Sequence, residues 1–393
     1  MKIPVSCYGW AVRLLNLFVP VREKEWIFGA DYGNMYREGS KYMLEYMLKE
    51  HPDYKCTFIT RRASVKQELD KLNIPCEMNF SCRGIITIAR ASVVFFCQAS
   101  TDIMFIYRKP NRRFYYLIHG QPIKLILKSL DNSYKKKFLK NYSGIKGSIL
   151  SLFNYLNNGT TVFDSDFVSA TSEYMAPFIR QDLGGDVPVK ILGMPRNDAL
   201  FQPDRYKHEK WVSGLEGKLI IMYMPTHRNY GKGELSPIPF VGRSDINQWM
   251  EENNVVLLVK QHPNMIPKLK EVINTNTIKD ISKLGIDPQT CIYKSDVLIS
   301  DYSSVWIDYL LLKRPIVFYF YDNYETDDCG VHFDIREDPA GPFCYSEDEL
   351  FEIIKAIHYD YKSMCPSERI VKKFHQYVDG NSCERHYKEI CCS

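Results

Sequence analysis

The sequence predicts an α/β protein of two doubly wound domains with parallel sheets. Three observations carry that prediction. Short continuous apolar runs alternate with segments whose apolar residues recur at helical spacing, the pattern that βα units and a parallel sheet produce. At 393 residues the chain exceeds the size at which one hydrophobic core stops growing, so two domains are expected. The stretch Ser295 to Tyr321 reads as one complete βαβ unit: Val297-Leu298-Ile299 as a strand buried on both faces, Asp301-Tyr302-Ser303-Ser304 as a turn, Val305 to Leu312 as a helix, and Ile316 to Phe320 as the next strand. Lys313-Arg314-Pro315 stops the helix.

In chain order, Tyr8 to Phe18 places Trp10, Ala11, Leu14, Leu15 and Phe18 on one helical face, suited to a membrane interface or to packing on the domain. Glu25 to Gly29 is a strand, Gly29 to Asn34 its loop, and Arg37 to Lys49 a helix. Cys56 to Thr60 and Ser92 to Cys97 are strands, with helices over Ser64 to Leu72 and Ile85 to Arg90. Phe114 to Ile118 is the strand that delivers His119-Gly120-Gln121-Pro122-Ile123-Lys124 to a carboxyl edge. A histidine followed by glycine at a strand end has an exposed imidazole with backbone room beside it, as a general base needs; the bland alternative is a buried, satisfied histidine. Val162 to Ser172 is again apolar, Tyr174 to Leu183 is helical, and Val189 to Gly193 ends the first domain. In the following turn, Gly193-Met194-Pro195-Arg196-Asn197-Asp198, Arg196 either meets a phosphate or ties the linker.

The second domain opens with the strand Lys218 to Pro225, ending in Thr226-His227-Arg228. Val255 to Lys260 ends in Gln261-His262-Pro263, and Cys291-Ile292-Tyr293 reads as a short strand before the Ser295 unit. Three strands thus finish in polar groups: Thr226 and Arg228, then His262, then Asp301, Ser303 and Ser304. Strand ends on one edge converge, so a guanidinium, an imidazole and helix amides would surround one anion. Ser303 and Ser304 also have a plainer reading, as caps. Tyr321 to Phe333 is a polar loop able to fold over the site, Glu347 onward is helical, and Phe374 to Tyr387 returns to the first domain. The boundaries are a segment 1–24, domains 25–205 and 206–365, and a terminal helix 366–393.

A net charge of +4 conceals one concentration: Lys124, Lys128, Lys135, Lys136, Lys137, Lys140 and Lys146 face the single acid Asp131. Interleaved with Leu125, Ile126, Leu127, Leu130, Phe138, Leu139 and Tyr142, this basic segment within 121–160 describes a helix on anionic lipid. A nucleic-acid surface is disfavoured because no binding module accompanies it, and a solvated lysine face is the plain alternative. The 12 cysteines offer neither a C-x-x-C zinc site nor a disulfide framework and fit reduced thiols in a cytosol. Asp164-Ser165-Asp166 has the form of a metal-binding D-x-D but lacks a second acidic cluster. No apolar run is long enough to cross a bilayer, and the N-terminal segment, interrupted by Arg13, lacks a signal-peptide cleavage site.

Taken together, HGQPIK, GMPRND, MPTHR, KQHP, SDVLISDYSS and the later YDNYETDDCGVHFD resemble the CDP-glycerol glycerophosphotransferases that build bacterial wall teichoic acids and related polyol-phosphate polymers. HGQPIK stands where that family usually has H-G-T-P-L-K, so Gln121 and Ile123 depart from its pattern, whereas DYSS matches unchanged. The resemblance implies a GT-B-like pair of Rossmann-like domains facing across a cleft, peripheral at the cytoplasmic face of the membrane. It implies that His119 is the base toward the acceptor hydroxyl, and that His262, Arg228, Thr226, Ser303 and Ser304 hold the diphosphate of a CDP-glycerol or CDP-polyol donor, with Asp301 ordering the turn. Gly120, Lys124 and Arg196 complete the substrate-binding set, and no cofactor or metal is required.

The implied reaction is attack of an alcohol on phosphorus with CMP leaving, a transition state stabilised by positioning and by charge on the non-bridging oxygens. The acceptor would be a lipid-linked glycan or a growing polymer. Competing readings are a nucleotide-sugar glycosyltransferase or epimerase on the same architecture, and a non-catalytic membrane-surface protein with a vestigial site. The sequence bears no signal for oligomeric state, nor for glycerol against ribitol.

Overall fold

The computed structural model describes residues 12–392 apart from 13, 16, 105, 130–160, 227–235, 270–271 and 323–329. Two compact units emerge. Unit 1 comprises Met1–Gln121, Ile126–Asp198 and Asn381–Ser393; unit 2 comprises Pro122–Leu125 and Ala199–Gly380.

Unit 1 is built on a seven-stranded sheet: β1 (Arg22–Phe28), β2 (Lys55–Thr60), β3 (Cys76–Met78), β4 (Ala91–Phe96), β5 (Arg113–Tyr116), β6 (Phe167–Ala170) and β7 (Val189–Ile191). The order is β3-β2-β1-β4-β5-β6-β7 and every pairing is parallel. Alternate residues feed two separate cores, Phe28, Val93 and Phe95 on one face and Ile27, Val94 and Phe96 on the other. A sheet buried on both sides needs such uninterrupted apolar strands, which is why they were readable. The helices are α1 (Glu38–Glu50), α2 (Ala63–Lys71), α3 (Cys82–Arg90) and α4 (Ala176–Leu183). Ser81 caps α3 by accepting from the Gly84 amide at 2.9 Å.

Unit 2 repeats the plan with β8 (Leu219–Tyr223), β9 (Val255–Val259), β10 (Ile278–Asp280), β11 (Val297–Ser300), β12 (Ile316–Tyr319) and β13 (Phe343–Cys344), in the order β10-β9-β8-β11-β12-β13 and again parallel throughout. Its helices are α5 (Ser244–Glu252), α6 (Pro288–Lys294), α7 (Val305–Tyr309), α8 (Glu347–Tyr359) and α9 (Glu368–Phe374). Helix α7 tightens into a 3-10 turn at Leu310–Leu312 and stops at Lys313, in left-handed backbone (φ 53°) just before Arg314-Pro315. The expected strand at Cys291-Ile292-Tyr293 is instead part of α6. Asp287 accepts from the Gln289 amide at 3.0 Å and Pro288 occupies the first turn, so helix-start chemistry outweighs a three-residue apolar run.

The C-terminal helix α10 (Ser382–Cys392) belongs to unit 1. The buried Asp198 carboxylate accepts from the Ser382 and Cys383 amides at 2.8 and 2.7 Å, and Cys383 and Ile390 enter the unit 1 core. At the N-terminal end Val12 packs on Ile85 and Tyr107, while Leu14, Leu17 and Phe18 are 59%, 77% and 77% exposed. Trp10 and Ala11 lie outside the described residues, as does most of the lysine-rich segment. Among the described residues no helix is long and apolar enough to cross a membrane.

Candidate active site

His119 stands at the carboxyl edge of unit 1, just beyond β5. From Phe114 to Ile123 every residue is buried except His119, which is exposed. Its neighbour Ile118 has φ 38°, left-handed backbone that a β-branched residue adopts only when its surroundings impose it. The turn is fastened on both sides. Arg196 donates through Nη1 to the His119 carbonyl and to Glu38 Oε2, the latter at 3.1 Å. Gln121, 1% exposed, accepts through Oε1 from the amide and hydroxyl of Thr171, each at 3.3 Å, and donates to Met194 Sδ at 3.2 Å.

Strand order reverses in unit 1 between β1 and β4, the position where doubly wound sheets ordinarily bind ligands. Here loop amides are taken by the chain's own side chains. Asp102, fully buried, accepts from the amides of Tyr32, Cys97 and Gln98 at 2.7, 2.8 and 2.9 Å. Gln98 in turn accepts from the Asp31 amide at 2.7 Å. Burial pushes the Asp102 carboxyl up to about 6, against the pull of those amides. A Cβ on Gly29 would meet Ile103 Cγ1 at 2.5 Å, so only glycine allows the approach.

In unit 2 the reversal falls between β8 and β11, and β9, β8 and β11 are neighbours. Their carboxyl ends carry His262, Thr226 and Ser303-Ser304, so at about 4.8 Å per strand these groups fall within about 10 Å along the edge. Asp301, fully buried, accepts from the Thr226 amide at 2.9 Å, from its hydroxyl at 2.8 Å and from the Ser303 amide at 3.1 Å. The Thr226 hydroxyl is therefore turned toward Asp301. Ser303 and Ser304 are half-buried, and among the described residues no side chain caps α7. His262 is half-buried at the end of β9, next to Gln261, whose amide donates to Ser282 Oγ at 2.8 Å.

Lys124 is drawn into unit 2 by an antiparallel bridge to Val331, flanked by bonds from the Leu125 amide to the Gly330 carbonyl (3.1 Å) and from the His332 amide to the Ile123 carbonyl (2.7 Å). Arg228 lies outside the described residues, and Gly120 is buried. The acids of the D-x-D triplet serve backbone: Asp164 closes a capping box with Thr161, and Asp166 accepts from the Phe114 amide at 2.6 Å. Among the described residues no cluster of metal-ligating side chains occurs. Sequence reasoning missed Glu38 and Asp102, which no local motif marks.

Residues 11–392 match the family model "CDP-Glycerol:Poly(glycerophosphate) glycerophosphotransferase". The chain is 25% identical to the teichoic acid glycerol-phosphate transferase of Staphylococcus aureus (strain NCTC 8325 / PS 47), over 91% of this chain and 90% of that protein. It is also 25% identical to the teichoic acid poly(glycerol phosphate) polymerase of Bacillus subtilis (strain 168), over 93% of this chain but 48% of that protein, so it spans about half that relative's length. A variant of the wall teichoic acid polymerase TagF shares its fold with a TM-score of 0.76 at 20% identity, over 99% of this chain and 93% of that one. With the two doubly wound units, the HGQPIK turn and the DYSS turn in place, a match that runs almost end to end decides the matter: the chain belongs to the CDP-glycerol glycerophosphotransferase family.

Proposed function

We propose that this protein transfers glycerol phosphate, or a similar polyol phosphate, from a CDP-linked donor to a hydroxyl of a teichoic-acid-like acceptor and releases CMP. The observation that carries the reading is the exposure of His119 alone within a buried run, on a turn held by buried polar contacts. In this reading His119 takes the acceptor's hydroxyl proton as the oxygen attacks phosphorus. His262, Lys124, Arg228 and the Ser303-Ser304 turn bind the donor's phosphates and carry the charge that builds on the non-bridging oxygens. Thr226 and Asp301 hold that turn in shape. The engagement of the Asp31, Tyr32, Cys97 and Gln98 amides by Gln98 and Asp102 at the reversal point of unit 1 supports assigning the nucleotide to unit 2.

Exposed Leu14, Leu17 and Phe18, together with the lysines of the 121–160 segment, support peripheral attachment to an anionic membrane surface, where a lipid-linked acceptor would be met. A donor panel tests the reading. Incubation with CDP-glycerol, CDP-ribitol and UDP-sugars in turn, with a glycerol-phosphate oligomer as acceptor, is expected to release CMP and not UDP. Release of UDP alone would return the nucleotide-sugar transferase, and no release together with no nucleotide protection in a thermal melt would return a vestigial site.

A further inference from the structure

We propose that Arg196 and Gln121 are positioning residues for His119, which fix a strained turn so that its imidazole is presented, and that neither side chain reads the substrate. The inference rests on His119 being the base. Four residues, Ile118 to Gln121, are anchored by three unrelated sets of contacts. The Ile118 side chain is 2% exposed and packs in the apolar cluster with Phe96, Tyr116 and Ala170, which holds its backbone at φ 38°. The His119 carbonyl accepts from Arg196, whose guanidinium is also paired with Glu38, the two side chains being only 10% and 16% exposed. Gln121 is tied to Thr171 beyond β6 and to Met194 beyond β7.

Each anchor also argues against a direct role. The Arg196 side chain is only 10% exposed, and its Nη1 is already engaged by the half-buried Glu38 and by the His119 carbonyl. A glutamine that is 1% exposed has no face to offer an acceptor. Where the family pattern has threonine, the longer amide of Gln121 spans to two neighbouring strand ends, so this departure alters how the turn is braced and leaves acceptor choice to other groups. A turn left to relax from a strained conformation would swing the imidazole, and misplacement by about 1 Å costs on the order of 100-fold in rate.

The full chain is assayed for CMP release from CDP-glycerol with a glycerol-phosphate oligomer, in Arg196→Ala, Arg196→Lys and Gln121→Met, each alone and combined with His119→Ala. The single variants are expected to lose about 10- to 100-fold in kcat, with the Kd for CDP-glycerol moving less than about twofold. Arg196→Lys should recover part of the Arg196→Ala loss. Added to His119→Ala, each should cost less than about twofold more, because a residue acting only through another has nothing left to position. A tenfold weaker Kd for CDP-glycerol in Arg196→Ala, no loss in any single variant, or undiminished losses in the His119→Ala background would each overturn the proposal. Full activity of His119→Ala alone would instead remove the base reading on which it rests. Should Arg196→Ala fail to fold, the length-matched Gln121→Met and the charge-preserving Arg196→Lys carry the same test.

Discussion

In unit 1 the loop after β4 turns Asp102 back onto the loop after β1; in unit 2 the loop after β11 turns Asp301 onto the loop after β8. The two aspartates occupy equivalent places in two sheets of like order, and both are fully buried acceptors of backbone amides. They differ in what remains. Asp102, helped by Gln98, takes up the amides of Asp31, Tyr32, Cys97 and Gln98, and the proposed base stands one strand further on, at His119 after β5. Asp301 accepts from Thr226 and one amide of the DYSS turn, and among the described residues no side chain caps the start of α7. One device therefore serves two sheets: in unit 1 it joins the loops after β1 and β4, and in unit 2 it shapes the DYSS turn, to which the proposed function gives the donor's phosphates.

The comparison breaks most easily at Asp301. Asp301→Ala strands the buried Thr226 amide and hydroxyl and the Ser303 amide, which should cost about 4 kcal/mol of unit 2 stability in urea unfolding and at least tenfold in CDP-glycerol affinity. Affinity unchanged in a destabilised protein would make Asp301 a fold anchor only. Asp102 sharpens the other half. Its carboxyl, raised by burial to about 6 from the ordinary value near 4, binds a proton more tightly folded than unfolded. Stability from this group is thus full below about pH 4 and is lost as pH rises through about 6, a swing of about 3 kcal/mol that Asp102→Asn should abolish in pH-dependent melts. A pH-independent wild type would contradict the assignment. The smallest effect belongs to the exposed N-terminal residues of unit 1. Phe18→Ser and Leu17→Ser should each weaken binding to anionic vesicles by about tenfold, the worth of one buried apolar side chain, and leave binding to unit 2 ligands unchanged.

Much of the fold was legible because parallel strands buried on both faces leave continuous apolar runs, as at Val255–Val259 and Val297–Ser300. Three of the four edge strands, Cys76–Met78, Ile278–Asp280 and Phe343–Cys344, were not, since two or three residues set no period, whereas Val189–Ile191 showed within the longer run to Gly193. At the candidate site, the glycine beside His119 and the position of the DYSS turn after an apolar run showed in the sequence as local signals. What braces them did not. Arg196 reaches His119 across 77 residues and Glu38 across 158, and Thr171 meets Gln121 across 50, distances over which local pattern carries no information. The D-x-D triplet shows the converse, since its two acids sit together in sequence yet each serves a different stretch of backbone.

The division of labour between the units is tested most directly by setting His119→Ala beside His262→Ala and measuring CDP-glycerol affinity and CMP release in both. The account predicts that His119→Ala binds donor within about twofold of wild type while transfer falls about 10²- to 10⁴-fold, and that His262→Ala binds donor at least tenfold more weakly. A folded His119→Ala enzyme that transfers at the full rate, or one that loses donor binding while His262→Ala keeps it, would contradict it.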